Sequence, residues 1–263
     1  MIRGCMSKGK YTFLFIFILI CFVSGCSSSI RQETDNEQFY FQRGMNYMEK
    51  KDYVKAIADF QTVVESYQGS RIIDEVQYML AQAHFMNEDY LTAAYEYERV
   101  YMDYPSSKYV PDARFKRALC YYNESPKADL DQDNTLLAMD DFNRFIDNYP
   151  RHEYVAEAQK YIDELRAKLA YKVYRAAELY RKLKKYDAAL LYYRFVIQDY
   201  PRTIWANEAR YGMGLIYLKQ KNFEKAQEMF KFLINTNTRK DIQNRASEKL
   251  SDIEKRISRK KSN

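Results

Sequence analysis

The stretch Asp89 to Pro105, DYLTAAYEYERVYMDYP, decides the fold of this 263-residue chain. An Asp-Tyr turn is followed by Ala93, Tyr97 and Val100 and closed by Tyr104-Pro105. Ala, an aromatic four residues on and an apolar residue three further fall on one face of a helix. The small Ala lets a neighbouring helix approach, the ring fills the space beside it, and Pro cannot continue the helix. The framework returns four times: Asp52-Tyr53 with Ala56, Phe60, Val63 and Tyr67; Ala138, Phe142, Phe145 and Tyr149-Pro150; Tyr186-Asp187 with Ala189, Tyr193, Val196 and Tyr200-Pro201; and Asn222-Phe223 with Ala226, Phe230 and Leu233. Such recurrence marks a repeat protein.

Upstream of each framework sits a first helix with a small residue and then an aromatic or His: Gly44/Tyr47, Ala81/His84, Ala118/Tyr121, Ala177/Tyr180 and Gly214/Tyr217. Small-x-x-aromatic, Ala-x-x-x-aromatic and a closing Pro resemble the tetratricopeptide repeat. The predicted fold is all-α: a right-handed α-solenoid of five such helix pairs with a C-terminal capping helix. The expected pairs are 37–70, 74–107, 111–152, 153–203 and 207–238, followed by a basic helix or tail over 239–263. Two intervals between frameworks are longer than the rest. One holds the polar segment NESPKADLDQDN, Asn123 to Asn134, and the other a stretch from Glu153 to Lys184 with no Gly or Pro. The second predicts one long helix joining the third pair to the fourth.

Twenty-six Tyr and 15 Phe against seven Gly and five Pro describe helices packed with rings and few flexible linkers. Strand signals are absent. Formal charge is +6, but Arg3, Lys8 and Lys10 fall in a leader, and Arg239 to Asn263 holds nine basic and four acidic residues. The array itself carries no basic stripe, which argues against nucleic acid as a partner. The tail has apolar residues at Ile242, Ala246, Leu250, Ile253 and Ile257 on an otherwise charged helix. It reads as a solenoid cap, with contact to anionic lipid or an acidic partner as the alternative.

Residues 1–25 read as a secretory signal: basic residues, the apolar run Tyr11 to Val23, then Ser24-Gly25. Thirteen helical residues span about 20 Å, short of the ~30 Å hydrocarbon core, so the run is a poor permanent span. Val23-Ser24-Gly25-Cys26 resembles the bacterial lipobox, which implies cleavage before Cys26 and acylation of that residue. Residues 26–36 then form an acylated tether to the membrane. Cys5 and Cys21 leave with the leader, so Cys120 is the remaining thiol, expected to fill a small apolar site in a first helix.

His84 and His152 are the only histidines, and no Gly-rich phosphate loop is present. A His-based catalytic or multi-His metal site is therefore not expected. Asp129, Asp131, Asp133 and Asp140 imitate EF-hand spacing, but Asn134 stands where that loop needs Gly and Asp140 where it needs Glu. An acidic surface turn is expected instead, with no cofactor and no metal.

In tetratricopeptide arrays, first-helix residues three before, one after and four after the small residue face the concave side. Here these are Phe41, Met45 and Met48; Tyr78, Gln82 and Phe85; and Phe115, Leu119 and Tyr122. In the fourth and fifth pairs they are Tyr171, Tyr174, Glu178 and Arg181, then Tyr211, Leu215 and Leu218. A groove of rings and Met suits an extended peptide with aromatic side chains. Tight winding that buries these residues against neighbouring helices is the other reading.

The lipobox, the Tyr-Pro repeats and the segment Asp129 to Ala188 coincide in one known family. That segment, with its acidic loop and its Leu165-Arg166…Leu169-Ala170 helix, resembles the BamD family, lipoproteins of the outer-membrane β-barrel assembly machine. The resemblance implies a non-enzymatic scaffold, lipid-anchored on the periplasmic face of the outer membrane. Its first repeats would bind the aromatic-ended C-terminal peptides of unfolded barrel proteins, and its last repeats the barrel-inserting subunit BamA. Trp205, Asn207 and Arg210 are the candidates for that second contact. A periplasmic repeat adaptor of the Tol-Pal or wall-synthesis machinery is the alternative, although such adaptors usually carry a coiled coil and an unlipidated leader.

Overall fold

The computed structural model describes residues 36–236 and 238–261. Across them the chain forms eleven α-helices and no strand: α1 Glu37–Glu49, α2 Tyr53–Ser66, α3 Ile73–Met86, α4 Tyr90–Asp103, α5 Val110–Asn123, α6 Asp133–Asn148, α7 Val155–Lys182, α8 Tyr186–Asp199, α9 Ile204–Lys219, α10 Phe223–Asn235 and α11 Lys240–Lys261. The leader, Cys26 and the tether up to residue 35 lie outside the described residues. The chain divides into two compact units, Met1–Val76 and Gln77–Asn263, the division falling inside α3.

In the first unit α1 packs on α2. Asn36 caps α1 by accepting from the Phe39 N–H through Oδ1 at 2.9 Å. Gly44 is where α2 comes closest, since a Cβ there would meet the Phe60 ring at 2.6 Å. Arg43 grips the buried Asp59 with two hydrogen bonds of 2.8 and 2.6 Å, which ties the pair together on its polar flank. An ion pair with one buried partner resists screening better than a surface pair.

In the second unit each framework ring lies against the small residue of its first helix. Tyr97 packs with Ala81, Phe142 with Ala118 and Tyr193 with Ala177 in three successive cores. Phe230 meets Gly214, where a Cβ would stand 2.7 Å from the ring. The 28-residue α7 serves two cores. Its first half contributes Ala158, Ile162 and Leu165 to the core of Phe115, Phe142 and Phe145, and its second half contributes Ala170 and Ala177 to the core of Tyr193.

The chain turns in two standard ways. At α1–α2, α3–α4, α7–α8 and α9–α10, the residues Lys51, Glu88, Lys184 and Lys221 take positive φ between 59° and 62°. The next N–H then reaches back to the carbonyl of Tyr47, His84, Tyr180 or Tyr217, the 6→1 bond of a Schellman cap. Between pairs, the N–H of Tyr67, Tyr104, Tyr149 and Tyr200 bonds to the carbonyl four residues back, and their own carbonyls accept from Ser70, Ser107, His152 and Thr203. Pro105, Pro150 and Pro201 follow where the helix has already ended.

The cap helix α11 buries Ile242, Ala246 and Ile253 against Tyr211, Phe230 and Leu233. Arg245 lies 4.1 Å over the Tyr211 ring and bonds Glu208 of α9 through both terminal guanidinium nitrogens. Cys120 is buried in the core of the second pair, and burial pushes its thiol up to about 12.

Candidate functional site

The residues three before the small residue are packing residues. Phe41 is buried on Phe60, with ring centroids 6.1 Å apart. In the second unit Tyr78, Phe115, Tyr174 and Tyr211 meet the framework rings Tyr97, Phe142, Tyr193 and Phe230 at 5.6 to 6.0 Å. A second ring covers three of them from the next pair. Tyr109 stacks on Tyr78 at 4.8 Å and Tyr154 on Phe115 at 4.6 Å, while Trp205 lies 5.2 Å from Tyr174. Phe115 is thereby left 2% exposed, and burial raises the Tyr78 and Tyr174 phenols well above their usual value. Phe41, Phe115 and Tyr211 are buried, whereas Tyr78 and Tyr174 are half-buried.

The covering rings are aimed by their own turns. Tyr109, Tyr154 and Trp205 each stand five residues after a closing Tyr. Ser107 Oγ accepts from the Tyr109 N–H at 3.2 Å, and His152 Nδ1 from the Tyr154 N–H at 3.3 Å. In the cap, Ile242 continues the series five residues after Asn237, buried in the last core.

One residue past the small residue, the side chain answers to the ring opposite. The Tyr97 hydroxyl donates to Gln82 Oε1 at 2.8 Å, and the Tyr193 hydroxyl donates to Glu178. Where the framework ring is Phe60, Phe142 or Phe230, the same position holds Met45, Leu119 or Leu215. Burial works against a charged Glu178, but hydrogen bonds from Arg181 and Tyr193 prevail and hold its carboxyl below the usual value.

Four residues past it, the side chains stay accessible. Met48 in the first unit and Phe85 and Tyr122 in the second are half-buried. Phe85 sits edge-on to Tyr90, with Lys116 Nζ 5.5 Å from its ring centre. Tyr122 lies 4.4 Å from Tyr161 and donates to Glu164 at 2.5 Å, and burial first, then that bond, pushes its phenol up to about 12.

The acidic loop is a latch on α7. Lys168 donates to the Ser125 carbonyl and hydroxyl, Lys172 to the Leu130 carbonyl, and Arg175 pairs with Asp129. These three cations are spaced along one face of α7. Asp131 accepts from the Asp133 N–H at the start of α6, and Asp140 pairs with Arg144. The carboxylates that imitate a calcium loop are thus spread over separate partners.

A family model described as outer membrane lipoprotein, YfiO, matches residues 32–231. The chain belongs to the YfiO family. The outer membrane protein assembly factor BamD of Rickettsia prowazekii is 26% identical over 178 residues, 68% of this chain and 71% of that one. Among solved structures, a tetratricopeptide repeat protein from Parabacteroides merdae is 15% identical with a TM-score of 0.37, covering 85% of this chain and 75% of that one. MamA from AMB-1 is 14% identical with a TM-score of 0.34, covering 75% and 89%. Membership places this chain among outer membrane lipoproteins.

In this YfiO-family chain the partner-docking candidates are held in different ways. Trp205 is half-buried between Tyr171 and Tyr174, at 4.5 and 5.2 Å. Arg210 lies 4.4 Å over Phe232, which is exposed, and reaches Asn207 Oδ1 at 3.4 Å. Burial lowers the Arg210 pKa. Sequence reasoning passed over Phe232 and the covering Tyr109 and Tyr154. The constant offset from each closing Tyr was the signal for the last two.

Proposed function

We propose that this protein is a non-enzymatic scaffold in the assembly of outer-membrane β-barrel proteins. It is anchored on the periplasmic face through acylated Cys26, and it binds unfolded substrate and a BamA-like inserting subunit. The observation that carries this reading is the family match over residues 32–231, joined by a relative named as an assembly factor for outer membrane proteins. The side chains left accessible support the binding of substrate. With the deeper rings committed to packing, Phe85, Leu119 and Tyr122 remain partly accessible in the second unit, and Met45 and Met48 in the first.

The C-terminus of a barrel substrate would bring an aromatic side chain and a free carboxylate together. Phe85 offers a ring face and edge to the first, and Lys116 beside it a charge to the second. Arg210 and Asn207, with Arg210 over the exposed Phe232, form the surface assigned to the inserting subunit, while Trp205 packs on Tyr171 and Tyr174 of α7.

The test is binding of a peptide ending in an aromatic residue to the purified protein. Phe85→Ala with Tyr122→Ala is expected to weaken binding at least about tenfold, since each ring contact contributes roughly 0.5–1.5 kcal/mol beyond its buried area. The helical circular dichroism should be unchanged. Undiminished affinity in the folded double variant would refute this groove.

A further inference from the structure

The second unit carries a basic, apolar end that the assembly role leaves unused. The α7–α8 turn reads Arg181-Lys182-Leu183-Lys184-Lys185, and the α9–α10 turn reads Lys219-Gln220-Lys221. Lys182, Lys184, Lys185, Lys219 and Lys221 are exposed. None lies within ion-pairing distance of a carboxylate among the described residues. The acidic counterpart in the same unit is the α3–α4 turn, Asn87-Glu88-Asp89; the α1–α2 turn of the first unit carries Lys50 and Lys51 beside Asp52, which pairs with Lys55. At the tip of α7, Leu179 and Leu183 stand one helical turn apart, 57% and 56% exposed.

Beside this tip a cavity of about 300 Å³ opens between α7, α8, α9 and α11. Leu215 and Ile253 line its apolar side, and Arg181, Lys219, Lys249 and Arg256 its rim, against the single carboxylate Asp252. Arg181 is held by Glu178, and Lys249 lies 3.5 Å from Glu248, so Lys219 and Arg256 are the cations left for a ligand.

We propose that this end of the second unit binds anionic phospholipid. The turn lysines meet headgroup phosphates, Leu179 and Leu183 enter the interfacial layer, and the cavity takes one headgroup with the top of its acyl chain. The ligand has to be anionic and apolar at once, and a leaflet of anionic lipid is both. The turn cations are lysines, mobile point charges without the fixed fork that pairs with a positioned carboxylate. The two leucines project at a tip, which a fluid leaflet accommodates without a matching socket. An acidic protein segment would need that socket.

The test uses full-length protein purified from membranes and reconstituted in vesicles of phosphatidylcholine with or without phosphatidylglycerol. A fluorophore on Leu183→Cys reports contact with spin-labelled lipid, Cys120 being buried. Quenching is expected in the anionic vesicles only, and is expected to disappear in high salt. A fluorophore on Glu88→Cys, at the acidic turn, should stay unquenched. Each lysine strengthens attraction to an anionic leaflet about fivefold. Lys182→Gln, Lys184→Gln and Lys185→Gln together should therefore lower the docking equilibrium constant about a hundredfold while the circular dichroism is unchanged. Quenching that ignores lipid charge, or none in either vesicle, overturns the proposal. Binding of an acidic amphipathic peptide at this tip without lipid quenching also overturns it, and assigns the surface to a protein.

Discussion

A hydroxyl on a buried ring selects the residue facing it across the helix pair. Tyr97 and Tyr193 each meet a side-chain acceptor, Gln82 and Glu178, whereas the positions registered with Phe60, Phe142 and Phe230 are apolar. An unsatisfied buried hydroxyl costs about 1–3 kcal/mol, enough to account for the pairing. Glu178→Gln keeps an acceptor for Tyr193 and removes the charge that binds Arg181. Because the folded-state pKa of Glu178 is lowered, its contribution is complete above the unfolded carboxyl value and lost as pH falls through the folded one. The variant should be less stable by about 1 kcal/mol at neutral pH, and the difference should vanish in acid once the lowered carboxyl of Glu178 is protonated. Urea melts at neutral and acidic pH check this; a constant deficit would contradict it. At this scale the framework rings were legible, since Ala-x-x-x-aromatic recurs in every copy. The fate of Tyr78 and Phe115 was not, because the rings that cover them, Tyr109 and Tyr154, belong to the turn before the next pair.

The helices were legible as elements, and their turns less so. Positive φ usually signals Gly, yet among the described residues the four left-handed ones are Lys51, Glu88, Lys184 and Lys221. Gly relieves the clash of a Cβ with the following carbonyl, at some cost in unfolded-chain entropy. Lys51→Gly should therefore stabilise the protein by about 0.5–1 kcal/mol, read as a rise in melting temperature. A fall would show that the Lys51 side chain contributes more than the turn geometry suggests. The long helix α7 was legible from the absence of Gly and Pro between Glu153 and Lys184. The holding of the acidic loop was not, because Lys168, Lys172 and Arg175 lie more than 40 residues beyond it in sequence and only folding brings them to Ser125, Leu130 and Asp129.

For the molecule as a whole, a helical repeat leaves its last pair with an uncovered apolar face unless something caps it. Here α11 buries Ile242, Ala246 and Ile253 against the fifth pair and clamps Glu208 with Arg245. Removing residues 239–263 should cost at least about 3 kcal/mol, from the burial of two isoleucines alone, seen as a lower melting temperature. Unmoved melting with weakened membrane or partner binding would give the tail a purely electrostatic role. The central claim is that this YfiO-family lipoprotein works in outer-membrane protein assembly. It is tested most directly by purifying the protein from detergent-extracted membranes and identifying what comes with it by mass spectrometry, beside a Cys26→Ala control. The account predicts a BamA-like barrel protein and unfolded outer-membrane proteins. Recovery of Tol-Pal or wall-synthesis proteins in their place would contradict it.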